Sequence, residues 1–564
     1  MTDALRSGGV RPTVRPFRRL RPDGWTAAAV LVAALVAMPV LAVLSSVLRP
    51  SDGVWAHLAS TVLWRYVADT ATLAAGVALS TLVIGVATAW LVTMCRFPGR
   101  GVLEWALLLP LAVPAYVIAY VYTDLLQFAG PVQTWLREAT GWTRRDYWFP
   151  EVRSMGGAVA MLSLVLYPYV YLLSRAAFLE QSACVLEVSR TLGRSPWQTF
   201  VSVALPLARP AVAAGVALAV METLADFGTV QYFAVDTFTT GIYRTWFLMG
   251  SPAAAAQLAS VLLLFVAAVL AFERVSRGRA RFHHTSVRYR ALPRYRLTGW
   301  RAGAALAACA LPLLLGFALP AGALVWMTLR GGDRLLGGLF FELARNSAVL
   351  GLVASALAVG VALVLAYGRR MRPTPAVEGA IRTASLGYAV PGAVIAVGVL
   401  VPFAWLDNAV DAFMRETFGV STGLVLTGTI AAVVFAYLVR FLAVSYNAVE
   451  ASLAKISPSI DRAARVYGRS PGRAMARVHG PLMLSSLLAA ALLVFVDVLK
   501  ELPATMIIRP FGFETLAVRV YRLASDERLA EASTPALAIV AVGVLPVILL
   551  SRAISHSRPG SAGG

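Results

Sequence analysis

A chain of 564 residues in which 59% are hydrophobic and 14% charged, with a mean hydropathy of +0.72, lies outside the soluble globular class, where about a quarter of residues are charged. The net charge of +21 does not indicate nucleic acid, because the basic residues fall in short segments between apolar stretches rather than on one soluble face. Cys95, Cys184 and Cys309 are widely spaced with no CxxC or Cys/His cluster, so neither a disulfide framework nor a zinc site is indicated.

Residues 1–24 form an arginine-rich leader. The apolar stretch at 25–48 is too long for a signal h-region of about 7–15 residues and long enough for a spanning helix of about 20. The same length criterion predicts spans near 67–94, 102–127, 156–174, 210–232 and 253–272, closing a first transmembrane domain at 25–272. A basic linker at 273–301 leads to spans near 302–328, 346–367, 380–405, 424–446, 482–508 and 533–551, a second domain at 302–551, and a tail at 552–564. The fold expected is an all-α polytopic membrane protein of about twelve helices. An even number of spans per half makes the two six-helix repeats parallel, related by an axis along the membrane normal.

With both termini in the cytoplasm, the inner segments carry about twice the basic residues of the outer ones, as retention of positive flanks requires. The linker holds nine arginines against one acid, with His283 and His284 among them. It reads as a tether touching anionic headgroups, the other reading being a regulatory or lipid-sensing element. The two histidines have no further ligands nearby and do not make a metal site.

One phrase occurs twice. Gly193-Arg194-Ser195-Pro196 returns 275 residues later as Gly468-Arg469-Ser470-Pro471, and each glycine is followed thirteen residues later by a proline, Pro206 and Pro481. At the same offset Glu222 matches Asp497, Asp226 matches Glu501, Thr240 matches Thr515 and Arg244 matches Arg519, while Pro114 corresponds to Pro391 at nearly that offset. Such register indicates duplication. In the first copy a short helix from Glu187, a glycine permitting a tight turn and a second helix with apolar residues at 197, 200, 201 and 205 make an amphipathic element outside the bilayer. It suits a groove on a soluble partner, or lies on the membrane surface.

Intramembrane acids are costly and usually face a cavity or a partner. Glu222 and Asp226 are four apart, as are Asp497 and Glu501, so helical spacing puts each pair on one face and lets four carboxylates point to a common axis. Hard oxygen ligands would suit a hard multivalent cation in passing. The alternative is helix–helix hydrogen bonding with a local Lys500–Asp497 pair.

The paired loops at 187–206 and 461–481, each between the fourth and fifth spans of its half, resemble the EAA loop of binding-protein-dependent ABC importer permeases. Glu187, Gly193, Leu205 and Pro206 fit that pattern, with Val188 and Ser189 at its alanines; the second copy keeps Ala463, Ala464, Gly468 and Pro481 but has Arg462 at the Glu position, with Asp461 before it. Leu109-Pro-Leu-Ala-Val-Pro-Ala-Tyr116, Glu222-Thr-Leu-Ala-Asp-Phe-Gly228 and Leu499-Lys-Glu-Leu-Pro-Ala-Thr505 further resemble the fused permeases of iron(III) importers. The resemblance implies a type I permease fold with both membrane domains in one chain of the bacterial inner membrane. It also implies two copies of an ABC ATPase on the cytoplasmic side, contacting these loops, and a periplasmic or lipid-anchored solute-binding protein outside.

No GxxxxGK[ST] phosphate loop occurs, so energy is expected from the partner ATPase and no cofactor is expected in this chain. No HExxH, GxSxG or comparable constellation points to an embedded enzyme, and no catalytic residue is assigned. A secondary transporter would share the spans and the repeat but has no use for paired amphipathic loops. Ferric iron is the expected substrate; thiamine, phosphonate or another small solute are alternatives within the same class.

Overall fold

The computed structural model describes residues 24–181, 187–189, 191–277, 294–331, 338–467 and 470–556. The leader to residue 23, Cys184, most of the linker with His283 and His284, Gly468 and the tail from 557 lie outside the described residues.

Backbone groups in a bilayer must be satisfied within the segment, which leaves the helix as the solution for an apolar chain. Among the described residues eleven helices are long and apolar enough to span, and a twelfth candidate, Arg100–Ala112 with Ala115–Thr140, is bent by 92°. The bend has a local cause. Pro114 lacks an N–H and holds Val113 in extended backbone, so a 3-10 turn at Leu109–Ala112 ends and a new helix starts at Ala115. The second half repeats this at Pro391, after the 3-10 turn Leu386–Ala389 and before the helix Gly392–Phe418.

Two of the expected spans are shorter than read. The segment at 210–232 stops as a helix at Ala225 and the one at 482–508 stops at Lys500; each is followed by a short helix, Gly228–Tyr232 and Pro503–Ile508. In the other direction the same helices run on. Pro196–Ala225 and Pro471–Lys500 are each 30 residues of continuous helical backbone. The missing N–H of Pro206 and Pro481 is accommodated by a π turn just ahead, Phe200–Ala204 and Met475–His479, where the widened backbone relieves the clash with the preceding turn.

The offset of 275 does not persist to the end of the repeat. Thr237, not Thr240, is the counterpart of Thr515: each heads a ten-residue helix, Phe238–Phe247 and Leu516–Ser525. Each helix start is docked in the same way, Phe238 N–H donating to Thr70 Oγ1 at 3.3 Å and Leu516 N–H to Ser347 Oγ at 2.8 Å. Arg244 pairs with Asp236 as Arg522 pairs with Glu514. The match of Arg244 with Arg519 is therefore also displaced. Three extra residues between Glu501 and Thr515 shift the register to 278, which a fixed-offset comparison does not see.

The halves are interlocked. The first helix, Gly24–Ser45, packs on Gly338–Met371, Pro375–Ser385 and Gly392–Phe418 of the second half. The first helical segments of the second half, Gly299–Leu313 and Leu319–Gly331, reach Leu63–Met94 and Ala115–Leu126 of the first. A parallel two-residue bridge between Cys95–Arg96 and Tyr295–Arg296 fixes where the linker enters the second half. One apolar cluster includes Leu224 and Leu258 with Val394 and Tyr437, so the core is shared across the seam.

Candidate translocation cavity and coupling segments

Where the two long helices end, their chain breaks meet in one cavity. It is lined by Tyr116 and Tyr169 with Glu222 and Asp226 from the first half, and by Tyr388, Arg440, Asp497, Lys500 and Glu501 from the second. All four acids singled out by spacing are thus brought together, although not by sharing helical faces. Asp226 and Glu501 sit one residue past the helix ends in extended backbone. Their carboxylates take the free N–H groups of the next short helix: Asp226 Oδ1 accepts from Thr229 and Val230 at 3.0 and 3.1 Å, and Glu501 Oε1 accepts from Ala504 at 3.1 Å. A side-chain acceptor for orphan helix-start donors is what ends one helix and begins another here. Glu222 and Asp497 stay on the last turns of the long helices and are partly exposed.

Lys500 Nζ is 2.9 Å from Asp497 Oδ1, the local pairing foreseen as the alternative. Arg440, which the reading of spans passed over, is the larger surprise. It is buried in the middle of Ile430–Ala454, with Nε 3.4 Å from Glu501 Oε2 and Nη2 3.8 Å from Glu222 Oε2. The signal was available: a single arginine inside Phe435-Ala-Tyr-Leu-Val-Arg-Phe441 is as costly as an intramembrane acid and as informative. Among the described residues no three His, Cys, Asp or Glu side chains stand close enough to hold a metal ion. The acids are spaced along the cavity wall rather than gathered into a cage.

The coupling segments are asymmetric. In the first, Glu187 is exposed, Gly193 turns the chain at a φ of +76°, and Ser195 caps the next helix reciprocally with Gln198. Leu192 and Trp197 project apolar surface, 71% and 70% exposed. Leu205 and Pro206 lie just past the π turn, where their contribution is to the continuity of the rod. In the second, Arg462 is exposed and Val466 and Tyr467 form the apolar tip, with Pro481 in the position of Pro206. Asp461, which the resemblance put with Arg462 in the ATPase-contacting loop, is buried: Arg370 Nε donates to its Oδ2 at 2.8 Å, and His479 Nε2 is 3.1 Å from its Oδ1. Arg370 also donates to the carbonyls of Leu453 and Ile456, so the pair ties the segment to the C-terminal end of Gly338–Met371. Asp461 and Ala464, three residues apart, form the buried face of the helix Pro458–Val466.

An all-helical chain with about twelve spans in two related halves, each with an external amphipathic segment running into an acid-bearing span, has the type I importer permease architecture. Residues 81–281 match the family of binding-protein-dependent transport system inner membrane components. The chain is 26% identical to the Fe(3+)-transport system permease protein FbpB 2 of Haemophilus influenzae over 476 residues, 82% of this chain and 85% of that protein. It is 28% identical to the molybdenum transport system permease protein ModB of Escherichia coli over 202 residues, 34% of this chain and 85% of that protein. With the Escherichia coli sulfate transport system permease protein CysT it shares 34% identity over 146 residues, 26% of this chain and 50% of the other. The chain is similar to fused two-domain permease subunits of binding-protein-dependent importers, a multi-pass inner-membrane class that works with a separate ATPase and a solute-binding protein.

Proposed function

We propose that this chain is the permease subunit of an ATP-driven importer that moves ferric iron, delivered by a solute-binding protein, across the bacterial inner membrane. Both termini lie in the cytoplasm. Two copies of the ATPase dock there, one on each coupling segment, against Glu187, Gly193 and Trp197 of the first and Arg462, Gly468 and Tyr467 of the second. The observation that carries this reading is the continuity of Pro196–Ala225 and Pro471–Lys500. Thirty helical residues make a rod about 45 Å long. Displacement of the coupling segment by a closing ATPase therefore moves Glu222 or Asp497 directly, without a flexible joint between energy input and cavity wall. The coupling is a population shift between outward-open and inward-open states, driven by contacts that differ between them.

The cavity's charge supports a cationic substrate. Four carboxylates face two cations, so the wall carries a net negative field in which a hard multivalent cation is favoured. Arg440 and Lys500 favour a second reading, an oxyanion such as those named for ModB and CysT, but each stands within 3.8 Å of a carboxylate and offers no bare positive site. The test is ATP-dependent uptake into proteoliposomes holding this chain and its ATPase, with binding proteins loaded with ferric iron, molybdate, thiamine or phosphonate in separate arms. Iron uptake alone supports the assignment. Robust uptake of another solute with none of iron rejects ferric iron and leaves the importer class standing.

A further inference from the structure

The cavity's two cations, Arg440 and Lys500, are not duplicated by the repeat: at the offset of 275 the counterpart of Lys500 is Ala225. Between the helix caps Ser154 and Thr429 and the repeated glycines Gly193 and Gly468 the offset is 275, which makes the apolar wall residue Val165 the counterpart of Arg440. Arg440 is 6% exposed, and its guanidinium crosses the seam between the halves, with Glu222 of the first half on one side and Glu501 of the second on the other. Lys500 serves only its own helix, three residues from Asp497. The Arg440 contacts are long for charge-assisted hydrogen bonds, which close to about 2.7–2.9 Å, and Nη1 has no hydrogen-bond partner among the described residues. The backbone opposite leaves no slack: a Cβ on Gly392 would stand 2.5 Å from both Arg440 Nη1 and Glu501 Oε1.

We propose that Arg440 is a tethered competitor of the substrate cation, occupying Glu222 and Glu501 while the cavity is empty and holding the seam shut until it is released from Glu222. This deepens the reading of the four acids as the route and rests on it. A buried carboxylate stripped of its partner is expensive, so an empty cavity needs a resident counter-charge. A multivalent cation arriving from the binding protein supplies more charge than the guanidinium it displaces, and the exchange leaves no carboxylate bare. The loose geometry and the unused Nη1 keep the resident pair weaker than a bidentate one, and so releasable. Neutral solutes and anions cannot take the guanidinium's place at two carboxylates, which makes Arg440 a specificity-determining residue as well as a seal.

The test uses the permease–ATPase complex in proteoliposomes, with Cys95, Cys184 and Cys309 replaced and a single cysteine at the buried wall position Val165. Two rates are measured without binding protein: maleimide labelling of that cysteine, and ATP hydrolysis. Glu222→Gln cuts the bridge between halves while leaving the Arg440–Glu501 pair in place, and it should raise both rates several-fold. Arg440→Gln should do the same, Arg440→Lys should return both toward wild type, and the double variant Glu222→Gln/Arg440→Gln should show no further rise. Wild-type rates in Glu222→Gln overturn the proposal, whether or not Arg440→Gln assembles. Iron uptake by the wild type is read separately. Its absence beside raised rates in Glu222→Gln rejects the cation competitor and retains the seal, whereas normal uptake beside unchanged rates rejects the seal and retains the importer.

Discussion

The carboxylate of Asp461 is held by the guanidinium of Arg370, and the pair is largely buried at the C-terminal end of Gly338–Met371. In the first half the acid of the corresponding loop, Glu187, faces solvent. Duplicated loops have therefore taken different tasks for their acids, one structural and one presented outward. Breaking a buried pair by removing one partner costs about 3–5 kcal/mol. Asp461→Asn or Arg370→Gln should lower the thermal midpoint of the purified permease, whereas Glu187→Gln should leave it unchanged and reduce ATPase co-purification. Equal melting of all three variants would show that the Asp461 pair contributes nothing.

Gly193 turns the first coupling segment with a positive φ and has open space around it. A side chain there meets no neighbour, so the penalty is backbone strain alone, about 1–2 kcal/mol for a residue that resists the left-handed region. Gly193→Asn should retain coupling, because Asn enters that region readily, while Gly193→Val should uncouple ATP hydrolysis from uptake with the protein still inserted. Uptake by the Val variant at the wild-type rate would remove the turn from the coupling mechanism.

At Gly392 the argument is steric rather than torsional. Alanine would push a methyl into the Arg440–Glu501 contact, and overpacking of this kind costs about 1–3 kcal/mol. Gly392→Ala should destabilise the protein by that amount in a thermal melt and lower uptake. Gly379→Ala, inside the helix Pro375–Ser385 with nothing within 4 Å, is the control and should not destabilise, Ala being the better helix former by about 0.5–1 kcal/mol.

The four acids should separate by position. Asp226→Asn keeps an acceptor for the following helix, so the purified protein should stay folded with a loss of about 1 kcal/mol; Glu501→Gln also takes the counter-charge from buried Arg440 and should cost more, up to about 3–5 kcal/mol. Glu222→Gln and Asp497→Asn cap nothing and should affect substrate movement first, measured as radiolabelled iron uptake with the loaded binding protein. Normal iron uptake by all four amide variants would exclude these acids from the route.

Orientation is tested with single cysteines in a cysteine-free chain. A cysteine at Thr140, exposed at the end of the helix Pro131–Thr140, should react with a membrane-impermeant thiol reagent on intact cells. One at Ser195 should be protected until the membrane is permeabilised. Rapid labelling at 195 from outside would invert the topology.

The membrane class, the two halves, the paired loops and the four acids were all legible in the chain, because each depends on local quantities: apolar run length, fixed-spacing repetition, and the cost of a carboxylate in a span. Pro114 and Pro391 also fell into register from the repeat, and each stands at a helix start with the residue before it in extended backbone. What the chain did not disclose was decided by partners distant in sequence. Spacing put Asp226 and Glu501 on the faces of unbroken helices, but the N–H groups of the next helices claim their carboxylates and end the spans early. The resemblance put Asp461 in the partner-facing loop, and Arg370, 91 residues away, holds its carboxylate inside the protein. The offset of 275 matched Thr240 to Thr515, whereas docking against Thr70 and Ser347 selects Thr237 and the longer register. Arg440 gains its meaning only where the fold sets it between Glu222 and Glu501: a buried charge is defined by what neutralises it, and that is a property of the packed halves rather than of any segment.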